Sequence, residues 1–400
     1  MKHLKFLYAG LSREVHVIRR IFALFLLLTA LSFCRSTSAQ AEAFRAMVIS
    51  DLHFTVNKNA SDVIISGMRY AQEITDVIIE EVLAEAPDVF IMTGDNTNGG
   101  GPQDVTALIE KLSRLKDAGI RLVVTTGNHD FNNMTPAEYE KAWFQLIETD
   151  DRDPNSLSYT AVIGDTVLLA MDDNAVYPGG QGCFSRPTMD WLREMLAKYA
   201  DRHILFLSHH SVLLGKDAAD AANYRIQNVD LPGLLQGHGV KLALTGHFHA
   251  QIILEDSGMY EIVSGMPFSG SHLIGRLAIE NNHLIYSASP IDFETCGTGE
   301  IASAMQETDV RNAGYQKETF AAAVAESGLP EEEQQQVLDL IIRFLAYYTD
   351  GTIGEHIEEI RNDPLCRDMI DILWERNYGP WMQSVLDNPP LPATHLEFDF

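Results

Sequence analysis

Arg121-Leu122-Val123-Val124-Thr125-Thr126-Gly127-Asn128-His129-Asp130 decides how this chain is read. An apolar, β-branched run of strand length stops at a glycine. Three residues able to bind a cation or move a proton follow it. The pattern recurs. Residues 46–50 run into Asp51-Leu52-His53, 88–93 into Gly94-Asp95-Asn96, 203–207 into His209-His210, and 241–245 into Gly246-His247-Phe248-His249. Oxygen and imidazole donors at successive strand ends can converge on one crevice. Taken singly, each motif has an ordinary reading as a turn, a solvated acid or a satisfied core histidine. Five in order, each behind a strand-like run, point instead to a metal site.

The residue types divide the work. Residues two apart in an extended chain point to the same side, so Asp51 and His53 are expected to share one metal. His247 and His249 reach one metal or two. Asp95 has two carboxylate oxygens with which to bridge a pair of cations. Asn128 offers a neutral amide oxygen, and His129 is left free to act on a substrate. Mixed N/O donors without thiolate suit Mn, Fe, Zn or Co.

Between the motifs, helical spacing appears at 62–83 and 104–118, and further strands at 158–163 and 166–171. A helix over 188–199 has Thr188 as its expected cap. Short strands follow at 251–254, 259–264, 276–279 and 283–287. Alternating β and α segments predict an α/β fold, and two β-rich groups flanking helices suggest a four-layered α/β/β/α sandwich. After Asp292 acidic helical segments take over, at 310–327, 330–348, 353–361, 364–376 and 380–386. The alternating tail Leu396, Phe398, Phe400 suits an edge strand. The expected organisation is a signal peptide over 1–41, a catalytic domain over 42–291 and an all-α domain over 292–400.

Arg19-Arg20, the apolar run 21–33 and Ala39-Gln40-Ala41 make the three parts of a secretory signal. An uncleaved anchor, or a lipoprotein box at Leu31-Ser32-Phe33-Cys34, is the alternative. After cleavage no stable membrane span is expected, and the protein is placed outside the cell or on its surface. The net charge is −27, which disfavours a nucleic-acid polymer as partner but not a small phosphate ester held by metals. Cys183, Cys296 and Cys366 are too few and too scattered for a disulfide framework.

The five motifs resemble the calcineurin-like metallophosphoesterase superfamily, whose pattern is Asp-x-His, Gly-Asp, Gly-Asn-His-Asp/Glu, His and Gly-His-x-His. The resemblance covers about 44–290. It implies a sandwich around a dinuclear centre, with Asp51, His53, Asp95 and His249 holding one metal and Asp95, Asn128, His209 and His247 the other. It implies His129 as the catalytic histidine and Asp130 as the residue that orients it. It favours His209 over His210, although Ser211 stands where the family often has proline. Asn96 and His210 are candidates for contact with substrate. Asn98 stands where purple acid phosphatases carry a metal-bound tyrosine, which argues against a tyrosinate-iron centre.

Such a centre implies hydrolysis of a phosphate ester by a metal-bridging hydroxide. The helical appendage resembles secreted bacterial cyclic-nucleotide phosphodiesterases of the superfamily, so a small diester is the expected substrate. An Asn-x-x-Gly-like element of such appendages falls at 374–379. A phosphomonoesterase or nucleotidase is the alternative. A non-catalytic metal-binding or scaffold protein is the alternative of another class, against which the intact ligand set argues. Every matched position precedes Ala250, so the helical region is expected to be dispensable for the metal centre.

Overall fold

The computed structural model describes residues 43–59, 66–175, 180–214, 221–228, 230–268, 270–376 and 378–400. The predicted signal peptide and Asn377 of the Asn-x-x-Gly-like element lie outside them. Residues 43–400 form one compact unit.

Thirteen strands are described: β1 (Phe44–Ile49), β2 (Val89–Thr93), β3 (Arg121–Thr125), β4 (Asp151–Arg152), β5 (Tyr159–Ile163), β6 (Thr166–Ala170), β7 (His203–Leu207), β8 (Leu242–Thr245), β9 (Ile252–Asp256), β10 (Met259–Val263), β11 (Leu273–Glu280), β12 (His283–Pro290) and β13 (His395–Asp399). They make a six-stranded sheet, β13-β12-β11-β1-β2-β3, and a seven-stranded sheet, β4-β5-β6-β7-β8-β10-β9. The motif-bearing strands β1, β2 and β3 pair in parallel, and so do β6, β7, β8 and β10. Parallel pairing brings their C-terminal ends, and hence the motifs, to one edge of each sheet.

The two-residue period of a strand sorts the cores. Leu168, Leu205, Leu207, Leu242 and Leu244 face inward and share a core with Val48, Ile91 and Val123 of the other sheet. Their neighbours Leu169, Phe206 and Ala243 face outward. Helices α1 (Ala71–Glu85), α2 (Pro102–Asp117) and α3 (Pro136–Trp143) add Ile74, Ile78, Leu108, Leu112, Tyr139 and Trp143 to the first core. Helix α4 (Arg186–Lys198) closes the outer core with Leu192, Met195 and Leu196. The layering is helix, sheet, sheet, helix, as predicted. Each such side chain contributes about 1.5–3 kcal/mol by leaving water.

Several elements differ from the sequence reading. Helix α3 was not predicted, although Thr135-Pro136-Ala137-Glu138 forms a complete capping box at its start. Helix α4 is capped by Ser185, whose side chain accepts the Thr188 N–H; Thr188 is already inside the first turn. Two short helices, α5 (Ala221–Tyr224) and α6 (Leu231–Gly237), follow β7. Helix α7 (Gly299–Ala325) starts well before 310 because Thr298 caps it.

Helices α8 (Glu331–Thr349), α9 (Ile353–Arg361), α10 (Cys366–Ile372) and α11 (Tyr378–Asp387) complete the helical region. They gather Val337, Ile341, Phe344, Ile357, Met369 and Met382 into a core that also takes in Ala250, Ile252 and Val263 of the sandwich. The chain then returns, and β13 pairs antiparallel with β12 as the predicted edge strand. Cys183, Cys296 and Cys366 are free thiols.

His272, just ahead of β11, ties the sandwich to α7. Its Nδ1 donates to Pro267 O at 2.8 Å and its Nε2 lies 3.1 Å from Asp309 Oδ1. Burial opposes its protonation, but the Asp309 carboxylate outweighs burial and raises its pKa above the usual 6.5. A raised imidazole stabilises the fold fully below its unfolded pKa and loses that effect as pH climbs through the folded value. Asp309→Asn should therefore cost stability at pH 6, and the deficit should shrink with increasing pH above 6.5. With the Asp309 side chain 43% exposed, solvent screening limits the effect to at most about 1 kcal/mol. Denaturant midpoints of both proteins across pH 6 to 9 check it.

Candidate metal centre

The ligand loops turn sharply. Asp51, His53, Asp95, His247 and His249 all have φ between +39° and +67°, a left-handed conformation unfavourable for side-chain-bearing residues. The extended geometry expected for Asp51 and His53 is therefore replaced. A left-handed turn at each, not strand alternation, aims both side chains at one point. Neighbouring strand ends hold the turns, since Asp51 N–H donates to Gly94 O at 3.1 Å and His53 N–H to Asp95 O at 2.8 Å. Two motif glycines allow the loops to meet. A Cβ on Gly127 would lie 2.1 Å from Asp95 N, and one on Gly246 would lie 1.7 Å from Ser50 Oγ.

Two donor groups result, Asp51, His53, Asp95 and His249 in one, and Asp95, His209 and His247 in the other. In the first, His249 Nε2 lies 3.3 Å from Asp51 Oδ1 and 3.2 Å from His53 Nε2. In the second, His209 Nε2 lies 3.3 Å from Asp95 Oδ2 and 3.2 Å from His247 Nδ1. Asp95 belongs to both.

Each carboxylate commits one oxygen to the backbone. Asp95 Oδ1 accepts His129 N–H at 2.8 Å, and Asp51 Oδ2 accepts His247 N–H at 2.9 Å. The remaining oxygens, Asp95 Oδ2 and Asp51 Oδ1, are buried and meet no donor, and neither does Asn128 Oδ1. Orphaned buried acceptors are costly, on the order of 1–3 kcal/mol each. Two divalent cations would satisfy all three, so the donor set fits a dinuclear centre. The imidazoles are prepared for the same task. His209 Nδ1 meets Thr93 O at 2.9 Å and His247 Nε2 meets Asn223 O at 3.0 Å. In each ring the carbonyl fixes one N–H and frees the other nitrogen as a ligand.

Electrostatics follow from this crowding. Burial would lower the His209 pKa, but the Asp95 and Asp51 carboxylates raise it to about 10. Burial works against ionised Asp95, and the surrounding imidazoles of His209 and His53 outweigh it, holding the acid well below its usual range. For His53 burial dominates and brings the ring down to about 4.

The remaining expected site residues are placed as follows. His129 lies beside His53, with ring centroids 4.7 Å apart, and its Nδ1 meets Asn98 O at 3.1 Å. That carbonyl, not Asp130, orients it. Asp130 is buried and turned inward, accepting from Asn96, Thr97 and Gly127. Burial, then the nearby Asp95 charge, pushes its pKa up to about 6 against those bonds. Its task is to brace the loops of the second and third motifs. Asn96 is also buried, its Nδ2 donating to Thr125 O and Asp130 Oδ2 at 2.9 Å, so it does not present its amide to a substrate. His210 is buried too. Its Nδ1 lies 3.2 Å from Asp173 Oδ1 and its Nε2 3.1 Å from Gly180 O. The ring is held in the interior with Nε2 on that carbonyl and is not presented to a substrate, and it is His209 that groups with Asp95 and His247.

Asp173 and Glu261 were missed in the sequence. Asp173 follows an apolar strand as the metal-site acids do, and Glu261 is a charge inside the apolar run Met259–Val263. Both signals were readable. The helical region supplies no member of the two donor groups, but it touches the loop that carries two of them. Phe248, between two ligand histidines, packs against Tyr348 of α8 with ring centroids 6.0 Å apart, and Gln251 N–H donates to Thr349 O at 3.0 Å. The fifth-motif loop is seated on the helical region.

Residues 44–251 match the family model for calcineurin-like phosphoesterases. The chain belongs to the calcineurin-like phosphoesterase family. This member is 25% identical over 207 residues to a probable cyclic nucleotide phosphodiesterase of Psychrobacter arcticus, covering 51% of this chain and 72% of that one. It is 30% identical over 171 residues to a probable glycerophosphodiester phosphodiesterase of Arcobacter nitrofigilis, covering 42% of this chain and 58% of that one. A dimetal phosphatase from Danio rerio shares the fold at a TM-score of 0.51 and 16% identity, over 61% of this chain and 95% of that one. Like its family, the protein is a metal-dependent phosphoesterase. Among the described residues no helix is long and apolar enough to cross a membrane.

Proposed function

We propose that this phosphoesterase is a phosphodiesterase for small diesters, cyclic nucleotides among them, and that it works outside the cytoplasm after removal of residues 1–41. The observation that carries the catalytic reading is Asp95 Oδ2, 3.3 Å from His209 Nε2, 3.6 Å from His53 Nε2 and without a donor. One atom serves both ligand sets. Asp51, His53, Asp95 and His249 would hold one cation, and Asp95, Asn128, His209 and His247 the other. Bound there, two divalent ions supply positive charge to phosphoryl oxygens and make water a nucleophile near neutral pH.

The protein's own groups do the rest. Asp95 ties the third motif to the second through His129 N–H, so the His129 ring is held beside the ligands. With Nδ1 donating to Asn98 O, Nε2 is the ring atom left for a substrate oxygen. There it stabilises charge on the phosphoryl group or passes a proton to the leaving oxygen. The relatives named for cyclic nucleotides support the diester class, and the acidic surface disfavours polymeric nucleic acid. The helical region is proposed to shape the substrate cleft. Chelated protein reloaded with Mn2+ should hydrolyse bis(p-nitrophenyl) phosphate faster than p-nitrophenyl phosphate. A clear monoester preference would reject the diester reading, and no turnover with two metals bound would reject catalysis altogether.

A further inference from the structure

Glu261 stands in the middle of β10 with no exposed surface. A carboxylate in such a place persists only if it is fully hydrogen-bonded. Its four donors come from the loop after β7 and from the end of β8. Oε2 accepts Ser211 Oγ–H at 3.0 Å and Leu213 N–H at 2.5 Å. Oε1 accepts Val212 N–H at 3.0 Å and Thr245 Oγ1–H at 2.5 Å. Ser211 follows His209 by two residues, and Thr245 precedes His247 by two. One buried side chain thus bolts the His209 loop to the His247 loop.

The bolt extends further. Ser211 N–H donates to Tyr224 O at 3.0 Å, and Ile226 N–H donates to Ser211 O at 2.9 Å. These bonds form a short parallel bridge between Ser211 and Arg225. The bridge fixes the backbone beside it, including the Asn223 carbonyl that meets His247 Nε2. A proline at position 211 could make neither the N–H bond nor the hydroxyl bond. Serine supplies both.

We infer that Glu261, acting through Ser211, is a positioning residue for the second metal: it holds the His209 and His247 loops together and fixes the His247 tautomer that leaves Nδ1 free to bind. The inference rests on the dinuclear reading above. Glu261 touches no ligand, so its effect should fall on the set of His209 and His247 and spare that of Asp51, His53 and His249.

The test uses the whole protein, stripped with chelator and titrated with Mn2+, with bound metal measured by elemental analysis after equilibrium dialysis. Wild type should bind two equivalents. Glu261→Gln sets an amide NH2 against backbone N–H donors, and Ser211→Pro removes the bridge. Each should weaken one equivalent about 10–100-fold, the usual cost of losing a group that orients a ligand, and leave the other unchanged. Turnover lost at limiting Mn2+ should return with excess Mn2+, with KM for the diester unaltered. Should either of these fail to fold, Ser211→Ala, which keeps the backbone bridge and loses only the hydroxyl, should show the same selective weakening, at the lower end of that range. Two equivalents bound as tightly as in wild type by every folded variant would overturn the inference, as would equal weakening of both. A wild type that binds only one equivalent would overturn the dinuclear reading itself.

Discussion

Asp95→Asn should abolish turnover and lower metal content. The wild-type carboxylate already commits Oδ1 to the His129 N–H and keeps Oδ2 for both ligand sets. An amide has one oxygen for these two tasks. If it accepts His129 N–H, an NH2 group points at the cations. If it turns over, the third motif loses its anchor. Either way a charge of −1 disappears between two positive ions. Metal ions contribute several kcal/mol of charge stabilisation, and at 1.36 kcal/mol per tenfold the loss should reach at least about 10³ in kcat/KM. Elemental analysis beside kcat/KM measures both effects. Normal turnover with two tightly held metals would reject the shared-ligand reading.

His129→Ala should behave differently. Its ring is held by the Asn98 carbonyl and belongs to neither ligand group, so both metals should stay. The rate should fall by about 10²–10⁴, the usual contribution of general acid catalysis. The fall should be smaller for a nitrophenolate leaving group, which needs little protonation, than for a ribose alkoxide. Comparing a chromogenic diester with a cyclic nucleotide at full metal occupancy separates these cases. Loss of a metal equivalent would instead make His129 a ligand.

The ligand set was legible because strand ends deliver it in a fixed order, and apolar runs such as 88–93 advertise buried parallel strands. The two sheets and most helices were legible for the same reason, through their periods of 2 and 3.6. The orientations of the supporting polar residues were not. Asn96 and His210 were read as contacts for substrate and Asp130 as the residue that orients His129, yet all three are buried and bonded elsewhere. A sequence gives a residue's position but not which way a turn points it, and left-handed turns at Asp51, His53 and Asp95 set the direction here. The link between the helical region and the fifth motif was also hidden. Phe248 stands in the motif's unspecified position, and nothing local says that its ring is clamped by Tyr348 some hundred residues later.

Those left-handed turns also bear on how such a sequence drifts. Asp and His tolerate positive φ better than most residues, but each still carries strain of order 1–3 kcal/mol, and five of them crowd one small region. Glycine at any of the five would relax the backbone and remove a repelling or desolvated charge. Mutations that silence hydrolysis would therefore leave the sandwich intact, or make it firmer, while most random changes weaken a fold. A lineage released from selection for turnover would shed its ligands first and its architecture last. Folded, expressed and inert descendants of this chain are thus an easier outcome than unfolded ones, and only continued demand for the reaction keeps aspartate and histidine in those five turns.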